Sequence, residues 1–467
     1  MPRRIEDLAD EVLSAADTGL PARADGLTVA EFLASTPRLG EFWTPLTVLD
    51  ADALRRNAET IQAWAGAHGL ELMPHGKTTM APALWRLQLD AGATGLTLAT
   101  PGQVRTARAF GVGSIMLANA LVAPAALAWI AGELADPAFE FSCWADSLET
   151  VEAMERGLAG AGPLPRPIDV LVELGAPGGR TGARTLDAAL ALVQRVADSP
   201  VLRLAGVAGY EGSLGHDRSP AALAAVRAYL SDLVELRATV LDGGLATQAG
   251  FIVSAGGSAY LDLVAEVFAP AIEADAAAGR GTRWILRSGA SLLHDQGFYR
   301  GISPLDASRL GGTAGPVAAT TAGAAPGAAD PAAADPAHRP LVPAMRGYAR
   351  VVSHPEPGLA LLDGGKRDFP YDEGLPLPLG AAATLGEAAT TAVEPERTLA
   401  AASVTALNDQ HAFLRADDAG TTLPVAVGDV VSLGLSHPCT AFDKRRWLPV
   451  VERAGSDVVV DLVRTFF

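Results

Sequence analysis

The sequence has very little cysteine, no sustained basic stretch, and no uninterrupted apolar run of bilayer-spanning length. Only Cys143 and Cys439 occur, far apart in the chain. That argues against a disulfide-stapled scaffold and leaves each thiol to be explained separately. The formal charge of −17, with no basic stripe or aromatic–basic interleaving to offset it, argues against a nucleic-acid partner. The longest apolar run, IMLANALVAPAALAWIAG from Ile115 to Gly132, is divided by Asn119 and Pro124 into a strand followed by a helix. The opening MPRRIEDLADEVLSAADTGLP carries acids in its first ten residues and no continuous apolar segment, so it does not read as a secretory signal. A soluble, cytoplasmic protein with no membrane partner is expected.

What is present is alternation. From Leu70 onward, short β-rich apolar runs alternate with longer Ala/Leu-rich segments of helical period, the pattern of parallel βα units. Eight runs stand out: LELMPH (70–75), GLTLA (95–99), SIMLAN (114–119), FEFSCW (139–144), IDVLVEL (168–174), LRLAGVAGY (202–210), FIVSA (251–255) and RWILR (283–287). Eight units within this length predict a (β/α)8 TIM barrel over residues 46–310 rather than an open doubly wound sheet. Residues 1–45 form an N-terminal extension whose packing partner the sequence does not specify. Residues 311–340 are almost entirely Ala, Gly, Pro, Thr and Asp, cannot build a core, and read as a flexible linker or surface insertion. Residues 341–467 alternate apolar runs with Pro/Gly turns, which predicts a second, mostly β domain.

At the end of the first barrel run, ELMPHGKTTM (71–80) carries Lys77. A phosphate-binding Walker loop would need glycine where Glu71 stands, so the Gly-Lys-Thr match is accidental. A lysine closing a barrel strand instead points to the mouth, where apolar neighbours favour a neutral amine able to attack an aldehyde. Were that aldehyde on a phosphorylated cofactor, its phosphate would need backbone N–H groups at Gly-rich turns. VSAGGSAYLDLV after the seventh run and LRSGAS after the eighth supply two such turns, where barrels commonly build phosphate sites.

At these residues the chain resembles the alanine-racemase-like, fold-type III pyridoxal-phosphate enzymes, in particular the branch of D-serine dehydratase and D-threonine aldolase. The resemblance runs through TPLTVLDADALRRNA, MPHGKTTMAPALWRLQLDAGATGLTLAT, VELGAPGGRTG, GYEG, VSAGGS, LLDGGKRDF, LNDQHAFL and VGDVVSLGLSHPC. It implies pyridoxal 5'-phosphate (PLP), with Lys77 as the Schiff-base lysine and Ser254, Gly256, Gly257, Ser258, Ser288 and Gly289 as phosphate contacts. Tyr210 is similar to the tyrosine beside the pyridine ring, and Arg180 to an arginine at the barrel mouth near the cofactor. Two departures stand out. Where relatives commonly continue Tyr-x-Gly-His, this chain reads Tyr210-Glu211-Gly212-Ser213-Leu214-Gly215-His216, so that histidine's role does not pass to His216. A second histidine often found just after the lysine is replaced by Thr79 and Met80.

Near the C-terminus, His437 and Cys439 stand two residues apart in SHPCTAFDK, which on extended chain puts both side chains on one side. Imidazole plus thiolate favours zinc over magnesium or calcium, and two protein ligands leave coordination positions open. On spacing alone, a buried cysteine packing as a small hydrophobe beside a turn histidine is the favoured reading; the resemblance reverses this toward a zinc pair of the dehydratase branch, since the aldolase branch resembles it with aspartate in place of cysteine. Cys143 reads as core. His411 resembles a position near the metal, and His75 precedes the lysine with either a packing or a shaping role. The expectation is a zinc- and PLP-dependent dehydratase of a D-3-hydroxy amino acid, D-serine-like, acting as a homodimer. The alternatives are a metal-dependent D-threonine aldolase and a non-catalytic PLP-binding protein.

Overall fold

The computed structural model describes residues 4–160, 162–246, 250–310, 335–389 and 397–467. The first strand, β1 (Leu46–Asp50), is followed by the helix Ala51–Ala67 and then by eight parallel strands. These are β2 (Glu71–Leu72), β3 (Leu96–Leu98), β4 (Ser114–Ala120), β5 (Glu140–Ala145), β6 (Ile168–Leu174), β7 (Leu202–Gly209), β8 (Ile252–Ala255) and β9 (Arg283–Leu286). Each coincides with a run read from the sequence. Their order is β2-β9-β8-β7-β6-β5-β4-β3, and the curled sheet closes where His75 bridges Thr97 and the Thr97 N–H donates to Pro74 O at 2.9 Å.

The intervening helices start where local chemistry directs. Thr100, Ser147, Thr185 and Ser219 each accept the N–H of the residue three positions on, and Pro101, Pro124 and Pro220 occupy first-turn positions where a missing N–H costs nothing. Between strands and helices lies the main apolar core, and inside the barrel a smaller cluster contains Met116, Trp144, Leu171 and Ile285. Cys143 is fully buried in the former.

The second sheet is mainly antiparallel. It is built from β10 (Met345–Glu356), β11 (Leu359–Leu362), β12 (Leu377–Ala382), β13 (Arg397–Thr398), β14 (Ala402–Leu407), β15 (Ala412–Ala416), β16 (Val430–Gly434), β17 (Trp447–Val451) and β18 (Val459–Arg464), together with β1. The sequence reading put Leu46–Asp50 in the barrel unit; here it lies between β10 and β17, with Leu46 opposite Tyr348 and Leu49 opposite Val450. Both faces of β1 are the reason. Leu46 and Val48 enter one apolar cluster of the second domain, and Leu49 enters another. The N-terminal residues pack here too, with Leu13, Phe32, Leu39 and Phe42 against Tyr348, Trp447 and Leu462. Of the Ala/Gly/Pro stretch, 311–334 lies outside the described residues.

Candidate active site

Lys77 sits in the turn Gly76–Thr78 that follows β2. The turn is pinned from both sides: Trp85 Nε1 donates to Gly76 O at 2.9 Å, and buried Thr97 Oγ1 donates to Met73 O at 2.6 Å. Lys77 is half-buried and lines a cavity of about 420 Å³ at the mouth formed by the C-terminal strand ends, within the usual size range of small-ligand sites. Arg180, Tyr210, Gly257, Ser258, Gly289, His437 and Cys439 line the same cavity. Eight of the eleven residues singled out from sequence therefore converge on it.

The other three stand behind its wall. Ser288 Oγ lies 2.8 Å from Ser258 Oγ and also contacts Ser291 Oγ, so a chain of hydroxyls backs the cavity. Ser254, expected at the phosphate, is fully buried in β8: its hydroxyl donates to Ile285 O and accepts Arg287 Nη1 at 2.6 Å. The N–H groups of Gly256 and Gly257, expected to hold the phosphate, donate at 2.9 Å to the two carboxylate oxygens of Glu211, which is fully buried. The Gly-Gly donors are thus satisfied by an internal anion, and the donors left facing the cavity are those of Ser258 and the Gly289–Ala290 turn. Gly289 is there for close approach; a Cβ would lie 2.6 Å from His75 O and 2.8 Å from His75 N.

Cations surround this end. Arg287, fully buried, donates Nη2 to Gly209 O at 2.6 Å and lies over the Trp144 ring at 4.8 Å. Arg180, exposed at the rim, lies over the Tyr210 ring at 5.1 Å. His75 is held well below its ordinary pKa by burial first and then by the charges of Lys77, Arg287 and Arg180, and its Nδ1 is buried with no partner among the described residues. Burial likewise pushes the Tyr210 phenol up to about 12. An amine, cationic surroundings, a row of hydroxyls and a glycine cradle together fit a flat anionic cofactor such as PLP.

The opposite wall comes from the second domain. His437 Nδ1 lies 2.5 Å from Asp372 Oδ2, and Asp372 Oδ1 accepts Thr440 Oγ1 at 2.6 Å. Cys439 Sγ lies 3.5 Å from Thr78 Oγ1, next to Lys77. Burial works against a charged His437, but Cys439 and Asp372 raise it to about 9; burial works against a Cys439 thiolate, but His437, Thr78 and Lys77 lower its pKa. An imidazole fixed through Nδ1 by a carboxylate, beside a thiol readily ionised, fits the donor set of a zinc ion with open positions. Among the described residues no group of three or more His, Cys, Asp or Glu stands close enough to enclose a metal. His216 is exposed at the cavity rim, whereas His411 is exposed in the β14–β15 turn and does not line the cavity. Asp372 lies in no stretch singled out from sequence, whereas Glu211 and Arg287 stand inside GYEG and LRSGAS without a role being read for either.

Fold and cavity define an α/β barrel whose mouth is partly walled by a second, antiparallel β domain. The alanine racemase N-terminal domain matches residues 49–263, and the putative serine dehydratase domain matches residues 344–451. The chain thus combines an alanine-racemase-type N-terminal domain with a D-serine dehydratase-like C-terminal domain, the pairing found in relatives that are fold-type III PLP enzymes. Among curated proteins it is 34% identical to the D-threonine aldolase of an Arthrobacter species over 176 residues, 38% of this chain and 45% of that protein. It is 30% identical to the D-threo-3-hydroxyaspartate dehydratase of Delftia sp. (strain HT23) over 192 residues, 39% of this chain and 47% of that protein. The chain thus spans about half the length of the curated relatives it matches. Its fold matches the crystal structure of D-threonine aldolase from Filomicrobium marinum, with a TM-score of 0.67 at 22% identity over 92% of this chain and 97% of that one. It also matches a cysteine-to-alanine variant of D-threo-3-hydroxyaspartate dehydratase in the metal-free form, with a TM-score of 0.67 at 20% identity over 92% and 99%.

Proposed function

We propose that this protein is a PLP- and zinc-dependent lyase that dehydrates a D-3-hydroxy amino acid, D-serine-like, to a 2-oxo acid and ammonia. One observation carries the reading: Lys77 and the His437–Cys439 pair, from opposite ends of one chain, face a single cavity and meet through Thr78. When bound, PLP withdraws electron density from the substrate's α-carbon and zinc polarises its β-hydroxyl. The chain's own part is positional and acid–base. Lys77, on its pinned turn, removes the α-proton. Asp372 holds the His437 ring so that Nε2 is the free ligand atom. Phe298 and Tyr299 line the cavity beside the metal pair and keep water from the reacting atoms. One water leaves with the hydroxyl and one is taken up on release, so D-serine gives pyruvate and ammonia.

A second reading, a D-threonine aldolase, is favoured by the relative of that name at 34% identity. Cys439 supports the dehydratase, because the aldolase branch resembles this motif with aspartate at that position. Products separate the two. With D-serine and D-threonine, ammonia and a 2-oxo acid are expected; glycine and an aldehyde from D-threonine would overturn the dehydratase reading in favour of the aldolase. Chelation is expected to abolish turnover while leaving the cofactor's visible absorbance. The homodimer and the cytoplasmic location belong to this proposal; no helix among the described residues is long and apolar enough to cross a membrane.

A further inference from the structure

Resting on that reading, we propose that the site selects D-3-hydroxy amino acids whose β-substituent is uncharged (hydrogen, methyl or aryl) over 3-hydroxyaspartate, and that Glu373 is the specificity-determining residue. The position of Glu373 is set by its neighbours. Asp372 is tied to His437 at 2.5 Å and to Thr440 at 2.6 Å, and Gly374 O accepts Ser436 Oγ at 2.6 Å. Glu373 is therefore tethered on both sides to the segment that carries the metal pair, and it lines the cavity with His437 and Cys439. Also lining it are Phe298 and Tyr299, whose rings meet edge-on with centroids 5.1 Å apart. That pair is held from below by Asp295, whose Oδ1 accepts the N–H of Gly297 at 3.0 Å and of Tyr299 at 2.9 Å.

This end of the cavity is aromatic and carries the exposed carboxylate of Glu373. Burial and then the charges of Cys439, Tyr210, Asp295 and Glu373 hold the Tyr299 phenol well above its usual range. Among the described residues Glu373 has no ion-pair partner, while the two guanidinium groups of the site lie over aromatic rings, Arg180 over Tyr210 and Arg287 over Trp144. A substrate whose α-carbon lies at Lys77 and whose β-hydroxyl points to the metal pair presents its remaining β-substituent to this wall. A methyl or aryl group there gains apolar contact. A carboxylate there would give up water to face the Glu373 carboxylate, a like charge that lines the cavity.

The holoenzyme, loaded with PLP and zinc, is expected to show kcat/KM for D-threo-3-hydroxyaspartate at least about tenfold below that for D-serine or D-threonine, the scale of one unbalanced like-charge contact. Glu373→Gln should narrow that ratio by about fivefold, and Glu373→Lys should bring it to about unity or reverse it. The same order should appear in binding of the unreactive pair D-alanine and D-aspartate, read by tryptophan fluorescence, since Trp144 lines the cavity. A wild-type preference for the dicarboxylic substrate, or a ratio that Glu373→Gln leaves unchanged, overturns the proposal. If no 3-hydroxy amino acid is turned over, the dehydratase reading fails, while the D-alanine to D-aspartate binding ratio and its response to Glu373→Gln still decide the role of Glu373.

Discussion

Lys77 shares the chain with only two other lysines, Lys366 and Lys444, so covalent capture of an aldehyde has an unambiguous address. Borohydride reduction of the holoprotein is expected to fix the cofactor on Lys77, read by peptide mass. Lys77→Ala should abolish the visible absorbance and lower turnover by roughly 10²–10⁴-fold. Asp372→Ala is expected to weaken zinc binding about 10–100-fold, measured by competition with a chelator, because the carboxylate sets the orientation and basicity of the ligating ring. Ser258→Ala should raise the PLP dissociation constant about tenfold through loss of one hydrogen bond to a charged group, with Ser254→Ala leaving it nearly unchanged. At this scale, Lys77 was legible because it follows the first barrel strand, and His437 and Cys439 because two donor residues stand two positions apart; the extended chain expected there is instead the turn Pro438–Thr440, which carries Cys439. Asp372 was not. It reaches His437 across 65 positions of sequence, and nothing local to either residue records that meeting. Glu211 was hidden for another reason: it occupies the Gly256 and Gly257 N–H groups that a glycine-rich turn advertises for an external anion.

Turns and helix ends, rather than strands, aim the site. Gly289 lies against the backbone of His75 on the neighbouring turn, and backbone atoms cannot swing aside as a flexible side chain would. Gly289→Ala should therefore displace the Lys77 turn, destabilise the fold by about 1–3 kcal/mol and weaken PLP binding, seen in thermal unfolding and in cofactor titration. The segment that follows β9 is held by a buried ion pair. There Asp306, nearly buried, bonds His294 Nε2 at 3.0 Å and the Ser308 N–H at 2.9 Å. Burial raises its pKa, but hydrogen bonds from His294 and Ser308 outweigh burial and bring it from 3.8 to about 2. Because the folded value lies below the unfolded one, the stabilisation is present above the unfolded pKa and is lost as pH falls through about 2. Asp306→Asn is expected to cost about 2 kcal/mol at pH 7, with the gap to wild type closing between about pH 4 and pH 2 in urea unfolding. The eight barrel strands were readable from their apolar runs, and helix starts from Ser, Thr and Pro. The strand β1 was misplaced, since a short apolar run before a helix looks the same whichever sheet receives it.

For the molecule as a whole, β1 makes the two domains one covalent weave. The chain begins in the second domain, contributes β1 between β10 and β17, builds the barrel, and returns. Residues 341–467 expressed alone should therefore lack a central strand and the apolar cover of residues 4–45. They are expected to be insoluble or rapidly cleaved by protease, with covalent addition of residues 4–50 restoring a resistant domain. A folded, monodisperse 341–467 fragment would overturn this view of β1. The same weave brings His437 and Cys439 to the cavity of Lys77 within one chain.

The sequence by itself determined the (β/α)8 alternation, the second β domain and the amine at a strand end, because these follow from local periodicity, turn chemistry and spacing. Only the tertiary structure decided which sheet receives β1, which glycine N–H groups remain free for an anion, and that Asp372 and Glu373 stand beside His437. Those outcomes depend on contacts between segments far apart along the chain, where burial and hydrogen-bond satisfaction in three dimensions, rather than the preferences of neighbouring residues, select the partner.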